Sequence, residues 1–343
     1  MSETAISPAA ARWIRRWLIL VGLMVYAMIL IGGATRLTDS GLSITEWDPI
    51  KGAIPPLSAA AWNDAFTKYQ TTAEYRFVNQ GMSLADFQQI YWWEWGHRFF
   101  GRMIGLVAVA GLAFFALKRW LTRRLAVRIL VLILLGGLQG AIGWWMVSSG
   151  IGQTTRVDVA PYRLMTHFIL ALLILSFTTW IWLDLGERER APASPAVRRV
   201  ARLLLVGVFL QMAAGALVAG LDAGRTYNDW PLMAGELVPS HYFETALGIR
   251  SLFEGRAATQ FNHRIIAYTI WLCSLAAAWA FRRTAQGRSF AILAALVTAQ
   301  ALWGIVTLLN TAPMNLSLLH QALGVIVTLG AVRLAWLVSD RKA

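Results

Sequence analysis

The sequence predicts an all-α membrane protein: eight transmembrane helices in two tandem, pseudo-symmetric four-helix bundles, with both termini cytoplasmic. Three observations carry this. Apolar runs of about 20 residues, enough to cross a bilayer, recur along the chain. The segments between them alternate between strongly basic and charge-balanced. The motifs of the first half return in the same order in the second.

Composition sets the class. Of 343 residues, 57% are hydrophobic and 14% charged, where soluble domains carry about 25% charged residues. Many of the 17 Trp lie near the ends of apolar runs, as interfacial belts do. The single cysteine, Cys273, lies inside an apolar run and excludes an intrachain disulfide.

The chain opens with Arg12, Arg15 and Arg16 before an apolar run at 17–35. That run is longer than a signal-peptide core and shows no small-residue cleavage site, so it reads as a retained first span. Further spans are expected at 91–117, 126–147, 163–184, 200–220, 262–281, 289–309 and 317–338. The N-terminus, 118–128, 184–202, 282–288 and the C-terminal tail hold a clear excess of Lys and Arg. The positive-inside rule places them in the cytoplasm. The net charge of +13 is therefore a topology signal, and helices interrupt every basic cluster, which argues against a nucleic-acid partner.

Two outer segments are long, 36–90 and 221–261, and begin alike. Asp39-Ser40-Gly41-Leu42-Ser43 and Trp47-Asp48-Pro49 match Asp222-Ala223-Gly224-Arg225-Thr226 and Trp230-Pro231. Gly and Pro punctuate both as turns. The first segment also predicts a helical stretch at 58–75. Ser83 with Asp86 reads as a capping box opening the next helix. Inside the spans, Gln139 and Gly143 align with Gln300 and Gly304, and His167 with His320. The duplication predicts an N-terminal bundle at 1–184, a cytoplasmic linker at 185–199 and a C-terminal bundle at 200–343. Four helices per unit keep both copies in one orientation. The glycines Gly32, Gly33, Gly136, Gly137, Gly215 and Gly220 are expected to allow close helix packing.

Chemistry concentrates at Glu94-Trp95-Gly96-His97-Arg98, repeated as Gln260-Phe261-Asn262-His263-Arg264. Residues three apart share a helix face, and intramembrane ionisable groups mark functional sites. His97, His167, His263 and His320 each begin an inward-running span, which puts four imidazoles at one depth, two per half. Two histidines on facing helices can clamp a haem through both axial positions; the bland alternative is hydrogen bonding between helices. Arg98 and Arg264 are the candidates for propionate contacts. His241 reads as a solvated loop residue. Glu94 either pairs with Arg98 or Arg102 and shapes the loop, or relays protons and stabilises charge beside a substrate. Gln260 keeps the shape without the charge, which points to chemistry in the first half and an auxiliary haem in the second.

The Glu94-x-x-His97-Arg98 motif, the run Gly32-Gly33-Ala34-Thr35-Arg36-Leu37-Thr38-x-Ser40-Gly41-Leu42-Ser43, and Asn262-His263-Arg264 together resemble the haem A synthase family over essentially the whole chain. The lack of loop cysteines resembles its cysteine-poor alphaproteobacterial and mitochondrial branch, with no disulfide step. The resemblance implies an oxidoreductase that converts haem O to haem A for terminal oxidases. It oxidises the ring D methyl group to a formyl group through two hydroxylations and loss of water from a gem-diol. Substrate haem O would sit at His97 and His167 with Glu94 catalytic, and a haem b cofactor at His263 and His320. A bacterial inner membrane, with the haem sites towards the periplasm, is the expected location. The partners implied are an electron donor and, by pathway logic, the haem O synthase (protohaem farnesyltransferase). Trp- and Gly-rich helix faces suit a homo-oligomer. The alternatives are a dihaem b-type cytochrome that passes electrons from a quinol, and a transporter with structural histidines.

Overall fold

The computed structural model describes residues 6–152, 154–186 and 190–340. They form eleven α-helices and no strand: α1 (Pro8–Leu37), α2 (Ala59–Gln70), α3 (Ala73–Phe77), α4 (Leu84–Leu117), α5 (Arg123–Val147), α6 (Pro161–Asp184), α7 (Pro195–Gly220), α8 (Ser251–Glu254), α9 (Arg256–Ala280), α10 (Gly287–Leu309) and α11 (Met314–Leu337). Among the described residues, seven helices are long and apolar enough to span a membrane: α1, α4, α5, α6, α7, α10 and α11. The sixth expected span corresponds to α9. Its 25 residues suffice in length, but Arg256, Gln260, Asn262, His263 and Arg264 crowd its first half with polar groups.

The long helices start before their apolar runs because the start signals are polar. Ser7 caps α1 ahead of Pro8, and Ser194 caps α7 ahead of Pro195; proline suits the first helical position because its missing N–H would be unpaired there anyway. Ser83 and Asp86 form the expected capping box on α4, with Asp86 N donating to Ser83 Oγ at 3.2 Å. The helical stretch expected at 58–75 is two helices, because Thr72 ends the first run and caps α3.

The chain divides into two compact units, Met1–Ile174 and Leu175–Ala343, with the border inside α6. In the first unit α4 packs against α1 and α5. Trp17 of α1 fills a notch at Gly111, where a Cβ would lie 2.2 Å from its Nε1, and that Nε1 donates to Val107 O at 3.1 Å. The outer segment is seated on the start of α4 by buried Tyr69, Phe87 and Tyr91, packed with Trp62 and Phe66. In the second unit α7 contacts α9 and α11, and α10 contacts the same two, which closes a ring of four helices. Val208, Ile270, Leu293 and Val327 lie in its core.

The duplication extends to the backbone. Two residues past α1, Asp39 takes φ 48°, and two residues past α7, Asp222 takes φ 50°. Aspartate tolerates the left-handed region better than most residues, so it can turn the chain at both points.

Candidate functional site

Each of the four repeated histidines lies against a glycine on the preceding long helix. A Cβ at Gly32 of α1 would sit 3.2 Å from His97 Nε2 on α4, and one at Gly143 of α5 would sit 3.0 Å from His167 Cε1 on α6. In the second unit, Gly215 of α7 faces His263 Cε1 at 3.1 Å, and Gly304 of α10 faces His320 Cε1 at 2.9 Å. The glycines thus make four shallow cradles. His97 and His167 lie in one compact unit, and His263 and His320 in the other.

Three cradles carry a glutamine four residues before the glycine. Gln139 Nε2 lies 3.2 Å from both ring nitrogens of His167 and donates to His167 O at 3.0 Å. Gln300 does the same to His320, at 3.2 and 3.4 Å from the ring and 3.0 Å from the carbonyl. Gln211 Nε2 lies 3.1 Å from His263 Nδ1. The Oε1 atom of each glutamine is buried without a partner. The Gln139/Gln300 alignment was visible in the sequence; the contact to a histidine ring was not, because it depends on how two helices are rotated. Gln211 lacked even that signal, since Met28 stands at the matching place.

The expectation of close helix packing holds at Gly32 and Gly215 and fails at Gly136 and Gly137. Gly32 and Gly215 back onto imidazoles, and Gly136 and Gly137 meet nothing within 4 Å. The missing side chains of Gly136 and Gly137 leave open space instead of a tight helix contact.

Glu94 is 2% exposed. Arg98 Nη2 donates to its Oε1 at 2.5 Å, while Ser43 Oγ and Ile44 N both donate to its Oε2 at 2.7 Å. Arg98 also donates to Ile44 O at 2.9 Å and Glu46 O at 3.0 Å. The ion pair and loop-holding contacts weighed for Glu94 are thus present. The second unit repeats them with neutral chemistry: Gln260 Nε2 donates to Tyr227 O at 2.9 Å, and Arg264 donates to Tyr227 O at 3.1 Å and Leu232 O at 3.0 Å. Both arginines spend donors on loop carbonyls. Arg102 Nη1 and Arg264 Nε remain buried donors without a partner.

A second carboxyl, Glu74 of α3, went unnoticed in the sequence because a short loop helix predicts exposure. It is 4% exposed, and its Oε2 has no partner. Burial, and then the charge of Glu94, push its carboxyl up to about 8. Burial and Glu74 together push the Tyr69 phenol up as well. His241 is exposed, as expected of a loop residue.

The sequence model of the cytochrome oxidase assembly protein family COX15-CtaA matches residues 15–332. A protein of Hyphomonas neptunium named heme A synthase is 67% identical over 98% of this chain and 96% of its own length. Proteins of the same name from Chelativorans sp. and Maricaulis maris are each 47% identical, over 98% and 96% of this chain and 95% and 97% of theirs. The chain belongs to the COX15-CtaA family. The haem A synthase resemblance read from the motifs is the one these relatives carry.

The residues present fit a haem. Paired imidazoles on two helices of each unit could supply axial ligands, and the glycines leave room for those imidazoles. Orphaned buried amide oxygens beside three of the rings can accept the N–H that a ligating imidazole carries on its other nitrogen. The unpaired guanidinium donors suit carboxylates.

Proposed function

We propose that this chain is a haem A synthase of a bacterial inner membrane, oxidising the ring D methyl group of haem O to a formyl group. Haem O is held by His97 and His167, and a haem b cofactor by His263 and His320. The halves are 1–184 and 200–343, with eight spans, both termini cytoplasmic and the haem sites towards the periplasm. The bound haems supply the iron redox chemistry. Methyl to formyl is an oxidation, so the proposed hydroxylations need an oxidant as well as a donor: each would take one dioxygen and two electrons from the electron donor and release water, and haem O arrives from the farnesyltransferase that makes it.

The observation that carries this reading is the unequal pair at one place in a repeated frame. Both halves present two cradled histidines, and only the first adds a buried carboxylate three residues before a histidine. Glu94 holds its charge at Oε1 with Arg98 and can exchange a proton at Oε2, where Ser43 Oγ is the hydroxyl partner. Held rigidly between helix and loop, that carboxylate needs little reorganisation to meet charge developing nearby. Arg98, Arg102, which donates to Asp48 O and Pro49 O, and Arg264 tie the outer segments to the helix mouths, an arrangement suited to limiting water at the site.

The test is the haem content of protein purified from a host that makes haem O, read by reduced spectrum and by chromatography of acid-extracted haems. Haem b together with haem O or haem A is expected. Haem b alone, with no haem A formed when haem O is supplied, would sink the reading. Glu94→Gln should keep both haems and lower haem A formation by about a hundredfold, the scale of a lost general acid or base. Wild-type turnover in that variant would remove Glu94 from the chemistry.

A further inference from the structure

Three of the four histidine rings are held by a glutamine, and one is not. Helices α1, α5, α7 and α10 carry the same spacing ahead of the cradle glycine: Met28-x-x-x-Gly32, Gln139-x-x-x-Gly143, Gln211-x-x-x-Gly215 and Gln300-x-x-x-Gly304. His167 and His320 are gripped identically, at ring and carbonyl. The difference between the halves falls on the other histidine of each pair. His263 has Gln211 at 3.1 Å. Met28 cannot play that part. Its thioether offers no N–H and only a weak acceptor, and its Cε sits 3.3 Å from where a Cβ on Gly101 would be, one turn beyond His97. No hydrogen bond reaches the ring of His97 among the described residues.

We propose that position 28 makes His97 the releasing ligand of the N-terminal haem, and that Gln211, its counterpart, makes His263 a retaining one. This rests on the reading of the N-terminal haem as substrate and the C-terminal haem as cofactor. A substrate that becomes product must leave, whereas a cofactor must stay. A partner on the second nitrogen of a ligating imidazole fixes the ring's orientation and raises its basicity; losing it typically costs tenfold or more in metal affinity. Turning the Gln211 amide by half a turn keeps its place, aims the orphaned Oε1 at the ring and supplies that acceptor. His97 lacks it, so the N-terminal pair has one fixed and one free ligand, and haem dissociation starts at the free one. Met28 and Gln211 are positioning residues that act through the histidine beside them.

The test uses the full-length protein with both haems in detergent and an excess of apomyoglobin to capture released haem. Samples are acid-extracted over time to identify which haem has left. His97→Ala and His320→Ala variants assign each kinetic phase to its half. In the wild type, the haem of the N-terminal half should leave at least about tenfold faster than the haem of the C-terminal half. Met28→Gln should slow only the first phase, by about tenfold, and shift the low-spin electron paramagnetic resonance signal of that haem alone. Gln211→Met should speed only the second phase by a similar factor, and it carries the test if Met28→Gln does not fold. Equal release rates in the wild type, or phases unchanged within twofold in the folded variants, would overturn the proposal. If the fast phase behaves as expected but carries haem b in place of haem O or haem A, the positioning inference stands and the substrate assignment falls.

Discussion

Both oxygens of Glu94 are engaged in the structure, and this decides how its replacement should be read. The Glu94→Gln change keeps the shape that Gln260 already uses in the second half, so the fold has a precedent for it. Removing Arg98 would instead strand a buried carboxylate, which costs about 3–5 kcal/mol, and would confuse folding with chemistry. Glu74 is the other residue with a measurable signature. Its carboxyl is raised from 4.5 to about 8 by burial and by Glu94, with Asp39 and Asp158 adding smaller like-charge contributions and Tyr69 donating to it. The folded state therefore keeps a proton that the unfolded chain releases near 4.5. Stability from this site is fully present below about 4.5 and is lost as pH rises through about 8. Glu74→Gln, which cannot titrate, should flatten the fall in thermal stability between pH 5 and 8, followed by tryptophan fluorescence of the outer segment. An unchanged slope would mean that Glu74 is ionised throughout. Glu94 and its pairing with Arg98 were legible beforehand, but nothing in Thr72-Ala73-Glu74-Tyr75 signals that the loop closes over a carboxylate.

At the scale of the helix, the unit of construction is a glycine cradle on one helix and an imidazole on the next. The sequence revealed the helices through their apolar runs and the histidines through their repetition. It also revealed that Gln139 and Gly143 match Gln300 and Gly304. What those matches do became clear only from the rotation of α5 against α6 and of α10 against α11. Gly136 and Gly137 show the limit of composition: an adjacent glycine pair in an apolar helix suggests tight packing, yet both face open space. The cradle itself is testable. Gly304→Ala puts a methyl carbon 2.9 Å from His320 Cε1, tighter than ordinary contact, so the ring must swing away. We expect the purified variant to lose most of its C-terminal haem while keeping the N-terminal one, read as a haem-to-protein ratio. Gly136→Ala, where nothing lies within 4 Å, should leave both haems in place and serves as the matched control. Retention of C-terminal haem by Gly304→Ala would show that the cradle does not set the ring's position.

At the scale of the whole chain, the count of membrane crossings turns on α9. The duplication and the alternation of basic segments argue for a span, while its own composition does not announce one, because its first turns carry the polar Arg256, Gln260, Asn262, His263 and Arg264. This conflict has a physical reason. A helix that bears Gln260, His263 and Arg264 gives apolar length to polar side chains, and Arg264 turns its Nη donors to the loop carbonyls of Tyr227 and Leu232 at the mouth of the helix. Removing the chain's one cysteine by Cys273→Ser gives a background for labelling from outside intact cells. Leu237→Cys, in a side chain that is 83% exposed, precedes α9; Ala285→Cys, also at an exposed position, follows it. A maleimide that cannot cross the membrane should label residue 237 at once and residue 285 only after the membrane is opened. Labelling of both from outside would leave α9 on the membrane surface. The chain would then have seven crossings, the orientation of α10 and α11 would be reversed, and His263 could no longer share a depth with His320.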